Sequence, residues 1–171
     1  LVHENGSFTA KKNELITQEC EKPVALKLLL QGRLNVYISA SADSPPSSFG
    51  ELSQKSYRLF EISESIFLNA GDLAQNCEES LSIAAAEDCT LYAYCTDTAE
   101  EFWSVVHNNK DYGTYIVNSI CHLLFNSFKA LEKAYSYSES LKNITSYYNA
   151  EPSVLFGKES AEAGSGSTSG P

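Results

Sequence analysis

The chain has 171 residues, enough for one domain with a proper core plus an appendage, and too few for two full domains unless one is very small. Hydrophobic residues make up 43% and charged residues 20%, a balance that excludes a disordered chain. The net charge is -10, the pI is near 4.7, and Arg33 and Arg58 are the only arginines, which argues against direct contact with nucleic acid or docking on an anionic membrane.

From Gly6 to Tyr94 short apolar segments alternate with turn formers, the pattern of a sandwich or barrel. Leu15 and Ile16 open one strand, and Ala25 to Leu30 make the next. Gln31-Gly32 supplies a turn, after which Arg33 to Ile38 alternates polar and apolar residues as a half-buried strand requires. Residues 40–56 are rich in Ser and Pro, carry no period and read as a long loop. Tyr57 to Ile62 resumes the strand pattern, and Ile66-Phe67-Leu68 forms a further apolar segment leading into Asn69-Ala70-Gly71-Asp72. Leu81 to Ala86 and Thr90 to Tyr94 follow, for about seven or eight strands in all.

At Thr98 the texture changes. Thr98-Ala99-Glu100-Glu101 sets a hydroxyl three residues before a glutamate, a capping box that starts a helix with Phe102, Trp103, Val105 and Val106 on its apolar face. A break near Asn108-Asn109 precedes a longer helix, in which Val117, Ile120, Leu124, Phe128, Leu131 and Tyr135 recur at three- and four-residue steps. Running from Gly113 to about Tyr148 it would extend roughly 50 Å, longer than the β unit can cover. Part of the stripe is therefore expected to pack on a second copy, giving a homodimer. The alternative is a helix that breaks near Tyr137-Ser138 and folds back, because Ser136, Ser138 and Ser140 interrupt the stripe. The segment from Gly157 is small, polar and Gly/Ser-rich, a flexible tail or linker. The organisation predicted is thus a β unit over 1–97, helices over 98–150 and a tail over 151–171.

Five cysteines, Cys20, Cys77, Cys89, Cys95 and Cys121, are odd in number and show no C-x-x-C spacing, so reduced thiols are expected. No run approaches the roughly 20 apolar residues of a membrane span. Both features suit a soluble cytoplasmic protein with no membrane partner.

A β-rich unit, a short helix and then a long helix resembles the cyclic-nucleotide-binding domain superfamily, including the sensor halves of Crp/Fnr-type regulators. Gly6-Ser7-Phe8 with Glu14 to Glu19 resembles the opening of that family. Leu28 to Tyr37 is similar to its second hairpin, and Ser82 to Leu91 to its final barrel strands. The resemblance spans about residues 6–140. It implies an α+β, mainly β fold: a jelly-roll-like double-stranded β-helix, or β-roll, followed by a short helix and a long C-terminal helix.

Members that bind cyclic nucleotides hold the ribose with a glycine-glutamate pair and the cyclic phosphate with an arginine, whose guanidinium offers a bidentate match. Counting back from Glu87-Asp88-Cys89, the arginine position falls on Glu79 and the glycine-glutamate pair on Asn69-Ala70. A shifted alignment puts Gly71-Asp72 on the pair, and no arginine lies between Gly71 and Cys89 in either case. The candidate ligand contacts are therefore Asn69, Ala70, Gly71, Asp72, Glu79 and Ser80, with the phosphate partner missing. Read without the resemblance, Glu78 and Glu79 are solvated loop charges and Gly71-Asp72 is a turn.

Cupin-type metal binding needs histidines on the strands, but His3, His107 and His122 all lie outside them. His107 reads as a helix-end residue and His122 as an interface or satisfied polar residue. No G-x-S-x-G, G-x-x-x-x-G-K-[ST] or G-x-G-x-x-G pattern occurs, and Cys89 and Cys95 read as small buried hydrophobes. The sequence thus points to a non-enzymatic sensor or regulatory domain needing no cofactor, with a degenerate phosphate site, dimerising through Val117, Ile120, Leu124, Phe128 and Leu131. Two alternatives remain. One is a true nucleotide sensor in which Arg33 or Arg58 reaches the phosphate; the other is an interaction module whose barrel holds nothing.

Overall fold

The computed structural model describes residues 5–40, 45–96, 98–108 and 110–148, with side chains to residue 142. His3, Asn109 and the expected tail from 151 lie outside the described residues. Among the described residues seven strands form two antiparallel sheets: β1 (Gly6–Ala10), β2 (Leu15–Thr17), β3 (Ala25–Gln31), β4 (Leu34–Ser39), β5 (Ser56–Ile62), β6 (Ser82–Ala85) and β7 (Cys89–Cys95). One sheet has the order β1-β7-β3 and the other β2-β6-β4-β5. Mainly antiparallel sheets with a short and then a long helix make this a β-roll with C-terminal helices.

The β3–β4 hairpin forms where the sequence predicts it. Gly32 turns it at φ +107°, and a Cβ there would stand 2.7 Å from Cys89 Sγ and 2.9 Å from Cys89 Cα, so only glycine fits. Beyond the turn Leu34 and Val36 point inward, opposite Ala85 and Ile83 of β6. They join Leu29, Ile62, Ile66 and Leu91 in the core between the sheets. Strand β3 buries residues on both faces: Leu29 enters that core, while Leu26 packs with Phe67, Leu73, Phe102 and Ile116 under the helices.

Two segments depart from the sequence reading. Residues 40–56 are not all loop, since helix α1 spans Phe49–Lys55. Ser48 Oγ accepts from Glu51 N at 3.3 Å, Glu51 takes the Ser47 N–H and hydroxyl, and Leu52 is buried against Tyr37 and Ala84. Ile66-Phe67-Leu68 is not a strand but a single bridge, Leu28 to Phe67. Leu29 N–H donates to Ile66 O and Leu68 N–H to Lys27 O, whereas Phe67 N–H turns away to Ser119 Oγ at 3.1 Å. The chain then enters helix α2 (Ala70–Gln75), where the sequence predicts only a turn.

Helix α3 (Ala99–Asn108) starts as predicted, with Glu101 N–H on Thr98 Oγ1 at 3.2 Å. Helix α4 runs over Lys110–Tyr148, without the alternative break near Ser138. Ser140 Oγ donates to Ser136 O, so that serine satisfies itself inside the helix. By contacts the chain forms two units, one ending at Glu132 and one beginning at Lys133. In the first, Ile116, Ser119 and Leu123 bury the inner face of α4, and Tyr94 and Tyr112 join hydroxyls at 2.8 Å. Among the described residues no helix is long and apolar enough to cross a membrane.

Candidate functional site

The turn from residue 68 into α2 and the return before β6 bring Asn69 and Glu79 together. Asn69 is 1% exposed and Glu79 5%. The Asn69 amide donates to Ala25 O at 2.9 Å and to Glu79 Oε1 at 2.8 Å, and its carbonyl oxygen accepts from Lys27 N at 3.1 Å. Every polar atom of this buried asparagine is thus occupied in tying α2 to β3 and to Glu79. The reading of Glu79 as a solvated loop charge is corrected here: Glu79 N–H bonds to Glu21 O and its carbonyl to Cys20 N–H, which turns its side chain inward. Glu78 is exposed, as that reading requires.

Burial pushes the Glu79 carboxyl up to about 7, against the Asn69 hydrogen bond and the Lys27 charge that favour ionisation, while nearby Asp72 pushes it further up. Burial also pulls the Lys27 ammonium below its ordinary value, and the charges of Glu79 and Glu21 resist that. Lys27 Nζ donates to Ile16 O at 2.6 Å. On the other side of α2, the Ser80 hydroxyl donates to Asp72 Oδ1.

Two cavities flank this polar strip. A cleft of about 370 Å³ beside β1, β2 and β3 is lined by Lys27 and Glu79, with Phe8, Leu15, Pro23 and Val24 among its walls. A smaller cavity of about 140 Å³ lies between α2 and α4, lined by Gly71, Asp72, Ser80, Leu123 and Ser127 among others. The six candidate contacts therefore separate. Gly71, Asp72 and Ser80 face the small cavity and Glu79 the cleft, while Asn69 and Ala70 are buried and line neither.

No family model matches the sequence, and no curated protein does. Solved structures do resemble it. A transcriptional regulator from Thermotoga maritima is 16% identical at a TM-score of 0.49, covering 83% of this chain and 92% of its own. The catabolite activator protein of Thermus thermophilus is 15% identical at 0.49, covering 81% of this chain, which spans only 55% of that protein. A CooA mutant from Carboxydothermus hydrogenoformans is 14% identical and superposes at 0.55, over 77% of this chain and 74% of its own. Over that span the chain has the fold of the CooA structure.

Neither arginine lines either cavity. Arg33 holds Glu87 at 2.8 Å and Glu61 at 3.4 Å, and Arg58 holds the other oxygen of Glu61 at 3.2 Å. On α4, Val117, Leu124, Phe128 and Leu131 are exposed, Phe128 to 68%, whereas Ile120 turns to the core side against the cluster of Leu26, Phe67 and Ile116. Cys121 takes the outer position beside it. His107 sits in the last turn of α3 with Nδ1 on Trp103 O, and His122 stands 3.5 Å from Glu64 and beside Asn126. Cys89 is buried and Cys95 partly so, while Cys20, Cys77 and Cys121 are exposed free thiols. Sequence reasoning missed Lys27, whose signal was available: a lysine within an otherwise apolar strand has to find a polar exit.

Proposed function

We propose that this chain is a non-enzymatic regulatory domain that does not take cAMP or cGMP in the usual way and that pairs with a second copy through the outer face of α4. The observation that carries the first half is the cavity between α2 and α4. At about 140 Å³ it falls well below the roughly 300 Å³ at which small-molecule pockets begin, and none of its lining residues is Lys, Arg or His. The Asp72 carboxylate there can meet a ribose hydroxyl but only repels a phosphate. At an effective dielectric near 20, two like charges about 4 Å apart cost about 4 kcal/mol. The alternative in which Arg33 or Arg58 supplies the missing cation is disfavoured, because both are engaged by Glu61 or Glu87.

Val117, Cys121, Leu124, Phe128 and Leu131 follow one another at steps of four and three residues, the spacing of a coiled-coil seam, and this supports the second half. The test is calorimetric titration of the intact chain with cAMP and cGMP, together with light scattering of the wild type and of Leu124→Glu. Silence toward both nucleotides, with a dimer that Leu124→Glu converts to a folded monomer, is the expected result. Tight binding of either nucleotide overturns the first half, and a monomeric wild type overturns the second.

A further inference from the structure

We propose that the cleft beside β1, β2 and β3 is a binding site for an apolar α-amino acid, a small zwitterion whose carboxylate meets Lys27 and whose ammonium meets Glu79. Both charges line the same space of about 370 Å³, which lies within the roughly 300–1,000 Å³ range of small-molecule pockets. Among the described residues no ion pair includes Lys27 or Glu79, and burial lifts the Glu79 carboxyl to about 7. Lys27 Nζ spends one donor on the Ile16 carbonyl, and Glu79 Oε1 accepts from the Asn69 amide. Lys27 therefore keeps donors toward the cleft, and the Glu79 carboxyl, which also shares a hydrogen bond with Asp72, keeps lone pairs there.

Near neutral pH burial keeps much of Glu79 protonated, and a ligand that presents an ammonium there and a carboxylate to Lys27 lets both groups carry charge at lower cost. Asn69 fixes the geometry from behind, bonding Glu79 by its side chain and Lys27 by that residue's own backbone N–H. Phe8, Leu15, Pro23 and Val24 give the walls an apolar character that matches an aliphatic or aromatic side chain. Three lining carboxylates, Glu14, Glu21 and Glu79, stand against two lysines, Lys22 and Lys27, so the cleft is nearly balanced and suits a net-neutral ligand rather than a polyanion. This site lies apart from the cavity facing α4, and nucleotide silence there does not bear on it.

The experiment is calorimetric titration of the intact protein with leucine, valine and phenylalanine at millimolar concentrations. Isoamylamine and 4-methylpentanoate serve as one-charge analogues of leucine. At least one amino acid is expected to bind, with the one-charge analogues roughly ten-fold or more weaker, since each loses a charge-assisted hydrogen bond. Lys27→Met and Glu79→Gln are each expected to weaken binding by a similar factor. Val24→Trp, at a partly exposed wall of the cleft, fills the space without touching the buried pair and is expected to abolish binding with an unchanged circular dichroism spectrum. No binding by any of the three amino acids, equal binding of a one-charge analogue, or undiminished binding to Val24→Trp overturns the proposal.

Discussion

Replacing Glu79 with glutamine tests the buried polar strip directly. Burial raises the carboxyl from an ordinary 4.5 to about 7, so between those values the folded chain holds a proton that the unfolded chain has lost. Stability follows the difference in bound protons, so it is expected to fall as pH rises through this window and to level off above about 7. At 1.36 kcal/mol per pH unit, the penalty amounts to about 3 kcal/mol as an upper figure at pH 8. The groups facing Glu79 are Asn69, Lys27 and Asp72, with Glu21 acting on Lys27 in turn. Glutamine keeps an oxygen for the Asn69 amide and offers Asp72 a donor, and it carries no charge to desolvate. Urea unfolding of both proteins from pH 5 to pH 8 is therefore expected to show Glu79→Gln gaining on the wild type steadily up to about pH 7, and more stable at pH 8 by up to about 3 kcal/mol. A difference that does not change across the window, or a variant less stable than wild type at pH 8, would refute the reasoning, because Glu79 would then be ionised in the fold.

Two further substitutions address the frame around the site. Gly32→Ala forces a Cβ into Cys89 at φ +107°, and is expected to destabilise the chain by about 2–4 kcal/mol in the same urea assay. Asn69→Ala removes partners from Ala25 O, Lys27 N and Glu79 Oε1 at once, and is expected to cost about 2–4 kcal/mol. It should also extend the fall in stability to higher pH, since Glu79 loses the hydrogen bond that favours its ionised form.

Features set by neighbours along the chain were legible in the sequence. The Gly32 hairpin, the alternation in the first half of β4 and the Thr98 cap all depend on residues within a few positions of one another, and each appears where local chemistry puts it, while the alternation breaks at the irregularity between Val36 and Tyr37. Helix α1 was equally local, because Ser48 and Glu51 stand at capping-box spacing, but the Ser/Pro-rich composition around them masked the signal. The order of strand, short helix and long helix was enough to suggest the β-roll. The sequence could also show that no arginine stands between Gly71 and Cys89.

What tertiary structure alone decided is where the remaining charges go. Glu78 and Glu79 are adjacent and chemically identical, yet one is exposed and the other is 5% exposed, because backbone bonds to Cys20 and Glu21, some sixty residues away, orient the second inward. Lys27 and Glu79 meet at one cleft only because β3 and the segment before β6 are brought together by the roll. Ile120 and Cys121 likewise exchange places between the predicted stripe and the observed one. Three- and four-residue steps define a stripe on a helix, but only the packed β surface decides which edge of that stripe is buried.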